Sequence, residues 1–396
     1  MMHQQDTSQL PLSGIRVVEF CQIAAGPFCG MLLADFGADV VKVENPDGGD
    51  GLRSWPPHSG GYSENFASLN RNKRSVALNL KDTAELATAK ALCANADVVI
   101  ENNRPGVMDR LGLGYRAIAA LNPGIVYCSI SGFGQEGPRS QEGGFDVTIQ
   151  AIAGVMSVTG EPDGGPVKCG VPVSDFSTGL YAAFAVSSAL RQTAKSGEGQ
   201  FIDISLLGST LAIAALQTSE FFGTGMAPKR LGAAHPRNAP YEAFQASDDW
   251  FVLAAGNNRL WSVVCSVVGM PELNDDPRFN TNSMRALNQR ELRTVLETVF
   301  TTRPAGSWVD QFRKLGIPCG LINTYEQALS DPQVDAMKWV KDITLPSGVV
   351  TKTFCSPIRI NGKTPPIRLD PPALGGHNDE VLSELERIQC QGAIVS

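Results

Sequence analysis

The amino-acid sequence predicts an α/β protein, with a largely parallel sheet in a large domain and a smaller α+β domain beside it. Three observations carry that prediction. Over the first 200 residues, short β-branched runs alternate with helical stretches, the pattern of parallel strands joined by crossover helices. From about residue 225 to 330 the pattern changes to a short hairpin followed by charged amphipathic helices. The 396 residues, 43% of them hydrophobic, also exceed the roughly 250–300 at which a single core stops growing.

The strands read as short, mostly apolar runs at 15–20, 39–44, 75–80, 97–101 and 125–130, as strands covered on both faces should. Helices are expected between them, at 27–36 and 83–95, the first with Pro27 near its opening turn. Residues 175–196 and 206–222 are small, aliphatic and sparsely charged, which predicts two helices packed inside the domain. In the smaller domain a hairpin is expected at 241–244 and 250–254, followed by helices at 291–300 and 308–315. The tail from about residue 353 holds Pro365, Pro366, Pro371, Pro372, Gly375 and Gly376, so it is expected to run over the surface before a short last helix. The domain boundaries that follow are 1–224 with 331–396 for the large domain and 225–330 for the small one.

A formal net charge of −7 argues against a nucleic-acid binder, which needs a concentrated basic face. No apolar run approaches the roughly 20 residues that span a bilayer, and residues 1–8 show neither a basic nor an apolar leader segment. No membrane partner and a cytoplasmic location are therefore expected. Nine cysteines, at 21, 29, 93, 128, 169, 265, 319, 355 and 390, form no Cys-x-x-Cys pair and read as free thiols. The four histidines, His3, His58, His235 and His377, are widely spaced, so neither a metal site nor a histidine-based triad is expected.

A strand, a tight turn and a helix open the chain as in a dinucleotide-binding fold, but the turn at 24–27 lacks the Gly-x-Gly-x-x-Gly spacing and Pro27 removes a donor. The loop at 47–51 has no phosphate-loop ending and carries two aspartates, so it reads as a mobile surface loop. Basic residues gather near the proposed sheet: Arg71, Lys73 and Arg74 before the third strand, Lys81 after it, Arg104 and Arg110 after the fourth. Loops after parallel strands lie where open α/β sheets bind ligands, so Lys81, Arg104 and Arg110 fit one phosphate-binding rim. Arg71, Lys73 and Arg74 read equally well as a solvated turn. Asp146 and Asp175 each precede an apolar helical run, where an aspartate ordinarily serves as a helix cap. The apolar flanks of Asp175 leave a second reading open, a poorly hydrated but ionised carboxylate at a helix N-terminus, suited to act as a nucleophile.

Longer motifs go further. They include Pro11-Leu-Ser-Gly-Ile-Arg-Val-Val-Glu-Phe20, Ala25-Gly-Pro27, Leu33-Ala-Asp-Phe-Gly-Ala-Asp-Val-Val-Lys-Val-Glu44, Asn72-Lys-Arg-Ser75, Asp97-Val-Val-Ile-Glu-Asn102, Arg104-Pro-Gly106, Ser129-Ile-Ser-Gly-Phe-Gly134 and Pro372-Ala-Leu-Gly-Gly-His-Asn-Asp-Glu-Val-Leu382. With them the chain resembles, almost end to end, the class III (CaiB/BaiF-type) CoA-transferases, a family that also holds the α-methylacyl-CoA racemases. The resemblance implies a Rossmann-like parallel sheet in a large domain made from the N-terminal half and the C-terminal tail, a smaller α+β domain between, and a homodimer of interlocked rings. The family's catalytic aspartate lies in a motif matched by Val173-Ser-Asp175-Phe-Ser-Thr-Gly179, so that role carries over to Asp175. CoA contacts carry over to Ala24, Ala25, Asn45, Leu78, Asn79, Leu80, Lys81, Asn102, Asn103, Arg104 and Arg110. Family members with an arginine after the second strand would place it where this chain has Asn45. The implied mechanism passes through a mixed anhydride and an aspartyl-CoA thioester on Asp175, with CoA thioesters as substrates and no separate cofactor.

The racemase branch uses a His-Asp pair in the segment matching Gly144-Phe145-Asp146. Phe145 cannot accept a proton, which favours transfer over racemisation and leaves Phe145 and Asp146 as substrate-side residues. The segments at 230–244, 254–258 and 276–282 look most like the succinyl-CoA:dicarboxylate branch, typified by glutarate-specific members. Succinyl-CoA is therefore the expected donor and a C4–C6 dicarboxylic acid such as glutarate or itaconate the expected acceptor. The free carboxylate of such an acid calls for an arginine, and Arg53, His235 and Arg237 are candidates by position. The alternatives are a transferase for oxalate or formate, a 2-methylacyl-CoA racemase, and a non-catalytic CoA-binding subunit.

Overall fold

The computed structural model describes residues 10–395; residues 1–8, where no leader segment is expected, and with them His3, lie outside the described residues. The chain divides into two compact units, Met1–Ala153 with Cys169–Ser219 and Gln333–Ser396, and Gly154–Lys168 with Glu220–Pro332. Residues 154–168, expected in the large domain, thus belong with the smaller unit, where the Gly232 N–H donates to the Gly160 carbonyl at 3.0 Å.

The first unit is built on six strands: β1 (Arg16–Phe20), β2 (Asp39–Glu44), β3 (Lys73–Ala77), β4 (Val98–Glu101), β5 (Val126–Ser131) and β6 (Gln200–Ser205). All pair in parallel, in the order β3-β2-β1-β4-β5-β6. This is the order of doubly wound dinucleotide folds, in which the direction of winding reverses between β1 and β4 and a crevice opens at their carboxyl ends. β4 and β5 are buried throughout, as runs such as Val98-Val-Ile-Glu101 dictate. β6 was not anticipated: it stands at the sheet edge with one face open, so exposure alternates along Gln200–Ser205, Phe201 and Asp203 being exposed and the residues between them partly buried.

β3 begins two residues before the expected start, taking Lys73 and Arg74 into the sheet. Each charge has a partner that makes burial tolerable. Lys73 Nζ lies 2.9 Å from Glu19, Arg74 pairs with Asp39, Glu380 and Glu384, and Arg71 pairs with Asp35 at 2.6 Å. These three residues therefore form neither a phosphate rim nor a solvated turn.

Four helices of this unit matter for function: α1 (Ala25–Asp35), α2 (Asp146–Ile152), α3 (Val173–Ser196) and α4 (Leu206–Ile213). The helix expected at 206–222 is broken at Ala214 and resumes as Ala215–Thr224. α3 lies against α1 because residue 179 is glycine: a Cβ there would stand 2.7 Å from the Ala25 carbonyl oxygen. Phe176 meets Phe28 edge-on at 4.9 Å between ring centres, which fixes the first turn of α3 against the first turn of α1. The tail forms an unanticipated hairpin, Val340–Thr344 with Val350–Phe354, before the helix Asn378–Val395.

The second unit holds an antiparallel sheet in the order Cys319–Leu321, Trp250–Ala254, Tyr241–Gln245. The amphipathic helices Asn258–Val267, Gln289–Phe300 and Ala305–Lys314 cover it. Phe300 stands edge-on to Phe244, Phe251 and Trp308 at the centre of that core. Among the described residues no helix is long and apolar enough to cross a membrane, and no two cysteines are joined by a disulfide.

Candidate active site

The turn that leaves β1 is held in a conformation its residues would not choose. Ile23 has φ +66°, the left-handed region that a β-branched side chain rarely enters, at a cost of about 1–3 kcal/mol. Two clamps hold it. Asn102 donates to the Gln22 carbonyl (2.8 Å) and accepts from the Gln22 N–H (2.9 Å), while Asp50 accepts from the Ile23 N–H (3.0 Å). Beneath the turn, Lys42 Nζ donates to the Cys21 carbonyl (2.6 Å) and pairs with Glu19 (2.9 Å) and Asp50 (3.0 Å). Lys42, Glu19, Asp50 and Lys73 are all fully buried at the side chain. Burial by itself would lower the Lys42 pKa, but the carboxylates around it outweigh that effect and hold the ammonium charged. The loop at 47–51 is therefore not simply a mobile surface loop, since Asp50 is part of the buried pedestal.

α1 starts where this turn ends. Ala24 supplies no side-chain cap, so the first-turn N–H groups of α1, which have no carbonyl four residues back, stay open at the positive end of the helix.

α3 brings Asp175 to the same place. Asp175 is not the helix cap: Pro172 occupies that position and Asp175 lies in the first turn. Capping is done from outside, because the Asp146 carboxylate accepts from the Ser174 N–H (2.9 Å) and from Gln150 Nε2 (2.7 Å). Gln150 in turn accepts from the Cys169 N–H at 2.8 Å, tying down the segment that leads into α3. Close approach of two glycines delivers Asp146, since a Cβ on Gly144 would stand 2.7 Å from Gly132 Cα beyond the end of β5. Burial, and next the Asp146 carboxylate, push the Asp175 pKa up to about 7. The apolar flanks and helix terminus predict a group that stays ionised; desolvation and a like charge overcome the helix terminus.

Two clefts open at the crevice between β1 and β4. One, of about 310 Å³, is lined by Ala24, Ala25, Asn102, Asn103, Arg104, Phe145 and Asp175. The other, of about 430 Å³, is lined by Asn45, Leu78, Asn79, Leu80, Lys81, Asn103 and Arg110. Gln22 and Asn103 belong to both. The residues that the resemblance assigned to CoA thus all fall on one or the other. Among the described residues no cluster of three His, Cys, Asp or Glu side chains is arranged to hold a metal ion.

The model of CoA-transferase family III matches residues 12–378 of this chain. The chain belongs to that family. As a family III CoA-transferase it is an enzyme that transfers CoA. It is 40% identical over 388 residues to a succinate–glutarate CoA-transferase of Agrobacterium fabrum, covering 96% of each chain. It is 38% identical to an acetyl-CoA:oxalate CoA-transferase of Acetobacter aceti, covering 90% of each. A crystal structure of a CaiB/BaiF family protein from Brucella suis superposes with a TM-score of 0.85 at 38% identity, over 95% of this chain and 99% of the other.

Three of the remaining candidates of this transferase, Arg53, His235 and Arg237, line neither cleft. Arg53 is not open to a substrate: its guanidinium forks onto Glu44 (2.7 and 2.8 Å), donates to the Pro372 carbonyl and covers the Phe66 ring. His235 and Arg237 are in the second unit, where His235 Nδ1 accepts from the backbone N–H groups of Arg237 and Asn238, and Arg237 pairs with Glu220 at 2.9 Å. Phe145 is 71% exposed in the wall of the Asp175 cleft. Lys42, Glu19 and Asp50 escaped the sequence reading. Their signal was a charge inside each of two apolar runs read as covered on both faces, Glu19 in β1 and Lys42 in β2.

Proposed function

We propose that this transferase moves CoA from succinyl-CoA to a C4–C6 dicarboxylic acid such as glutarate or itaconate, with Asp175 as the covalent carrier. The observation that carries this reading is the half-buried, uncapping carboxylate of Asp175 in a cleft that continues into one lined by Lys81 and Arg110. Phosphates suit those two cations, and the thioester end of CoA would then reach Asp175.

The Asp175 carboxylate adds to the donor thioester carbonyl, the C–S bond breaks and CoA leaves as thiolate, giving a mixed anhydride. The thiolate then attacks the aspartyl carbonyl, the anhydride C–O bond breaks, and the donor acid departs as carboxylate, leaving an aspartyl-CoA thioester. The acceptor carboxylate attacks that thioester and the same steps run in reverse. Open N–H groups at the start of α1 suit the oxyanions formed at each addition. Exchange of one carboxylate for another needs no net proton, but it needs Asp175 ionised.

The relative named for glutarate supports the dicarboxylate; the one named for oxalate makes oxalate the competing acceptor. A phenyl ring at 145 gives racemisation no second proton carrier. We extend the reading to a homodimer of interlocked rings, for which exposed Leu180, Tyr181 and Phe184 on α3 offer an apolar face. Incubation with succinyl-CoA and a panel of glutarate, itaconate, oxalate and formate, read by mass spectrometry, tests the function. New glutaryl- or itaconyl-CoA is expected from the wild type and none from Asp175→Asn; an active Asn variant rules out the covalent role.

A further inference from the structure

We propose that Glu101 is a positioning residue for acyl transfer, its buried carboxylate tying the loop after β4 to the loop after β5 and so fixing Asn103 where the two clefts meet. This rests on the reading in which a CoA thioester spans those clefts to reach Asp175. Glu101 is the last residue of β4, at the winding reversal, and is 4% exposed. One carboxylate oxygen accepts from the Asn103 N–H at 2.8 Å. The other accepts from Ser129 Oγ on β5, which itself accepts from Gln135 Nε2 at 2.8 Å. Gln135 stands in the loop after β5, and that loop carries Gly144 and Phe145 to the Asp175 cleft. One side chain thus holds both loops.

Nothing in the strand itself calls for a carboxylate there. Glu19 and Glu44, buried in β1 and β2, face cations: Glu19 meets Lys42 and Lys73, and Glu44 meets Arg53. Among the described residues Glu101 has no ion-pair partner. Burial pushes its pKa up to about 7, and the Asp109 carboxylate further opposes its ionisation. An apolar residue would close a buried strand at no such cost. What the carboxylate supplies is two acceptors for the groups that the loops bring to it.

Asn103 is where those acceptors matter. Gln22 and Asn103 line both clefts. Asn103 Nδ2 donates to the Phe20 carbonyl at 3.4 Å, and among the described residues its Oδ1 has no partner. An acceptor is therefore open where the arm of CoA, which carries amide N–H groups, passes from the cleft of Lys81 and Arg110 towards Asp175. Asn102, one residue earlier, is the clamp on Gln22, so the bend that Glu101 fixes also sets the Ile23 turn. Phosphates anchor CoA at its far end. A shift of about 1 Å at the thioester end costs on the order of 100-fold in rate without releasing the coenzyme.

Exchange of isotope-labelled succinate into succinyl-CoA tests this, because it requires the covalent intermediate but no second acid. Wild type, E101Q, E101L, N103A and E101L/N103A are compared at saturating succinyl-CoA, with CoA binding by calorimetry and urea unfolding of each. In E101L, kcat is expected to fall about 10- to 100-fold, with CoA affinity within about threefold and an unfolding midpoint close to that of wild type. E101Q offers Oε1 to the Asn103 N–H and Nε2 to Ser129 Oγ and should recover most of the rate. Added to N103A, E101L should cost little more, because both changes act on one group. Wild-type kcat in E101L overturns the proposal. So do losses that multiply in the double variant, since Glu101 would then act through something other than Asn103, and a loss of rate that follows loss of CoA binding. If E101L does not fold, S129A, which cuts the link to Gln135 alone, is read against N103A in the same way; kcat should fall about 3- to 10-fold, and an unchanged kcat overturns the proposal. A wild type without exchange removes the succinyl-CoA reading, and the proposal with it.

Discussion

Asp175→Asn should make the free protein more stable while removing its transferase activity, and the gain should depend on pH in a fixed sense. Burial and the Asp146 carboxylate raise the Asp175 pKa from 3.8 to about 7 in the folded state. Between those two values the folded chain holds a proton that the unfolded chain has released, so rising pH favours unfolding across the window. Above about pH 7 both states are ionised and the whole penalty remains. A shift of about three units corresponds to about 4 kcal/mol at 1.36 kcal/mol per unit, and the open side of the cleft reduces this to roughly 2–4 kcal/mol. Asparagine keeps the shape and carries no charge, so the variant should gain on the wild type by about 1 kcal/mol per pH unit from pH 5 to 7 and then level off. In a unit of this size that amounts to a melting-temperature difference of roughly 3–7 °C at pH 8. Differential scanning calorimetry of both proteins, without ligand, at pH 5, 6, 7, 8 and 9 measures it. An Asn variant that melts below the wild type at pH 8, or a difference that does not change with pH, would refute the claim that Asp175 is a strained carboxylate.

Three further outcomes follow from the same contacts. The pH profile of kcat/KM should show an acid limb near pH 7 from Asp175; Asp146→Asn, which can still accept from the Ser174 N–H but carries no charge, should move that limb down by up to about one unit. Asp50→Asn and Asp50→Ala each leave Lys42 short of a buried partner and should cost about 3–5 kcal/mol in urea unfolding. The Ala variant, which also loses the acceptor for Ile23, should have the lower kcat. Gly179→Ala sets a methyl group 2.7 Å from the Ala25 carbonyl oxygen and should cost about 1–3 kcal/mol in the same assay, with a fall in kcat as the start of α1 is displaced.

The parts of this molecule legible in the sequence are those governed by local pattern. β1, β2, β4 and β5 announce themselves as short β-branched runs, and the amphipathic helices of the second unit as charged and apolar faces. β6 and β3 do not fit that pattern, one because an edge strand is covered on one face only, the other because Lys73 enters the sheet to meet Glu19, a residue 54 positions earlier in the chain. The site divides in the same way. The flanks of Asp175 and the loops after β1, β3 and β4 were legible as motifs. That Arg53 belongs to Glu44, that Asp146 caps a helix other than its own, and that Asp50 props the Ile23 turn are facts of tertiary pairing that spacing does not encode.

The same strand order that in dinucleotide folds cradles a pyrophosphate here serves a different chemistry, and the turn after β1 shows why. In those folds, glycines let the backbone approach phosphate oxygens at the start of the first helix. In this chain Gln22, Ile23 and Ala24 fill that turn and Pro27 withdraws a donor, so a pyrophosphate would find bulk where it needs open N–H groups. Lys81 and Arg110 stand in the neighbouring cleft instead. The helix terminus is thereby left free for something smaller. α3 crosses its mouth, held there by Gly179 and by the Phe28–Phe176 contact, and presents a carboxylate. In the proposed mechanism a thioester carbonyl would lie between the open N–H groups of α1 and the Asp175 carboxylate, one to stabilise an oxyanion and the other to create it. The buried Lys42, Glu19, Asp50 and Lys73 beneath then have a clear purpose. A turn strained at Ile23 would relax unless something rigid held it, and charges with no access to water are held in place by one another.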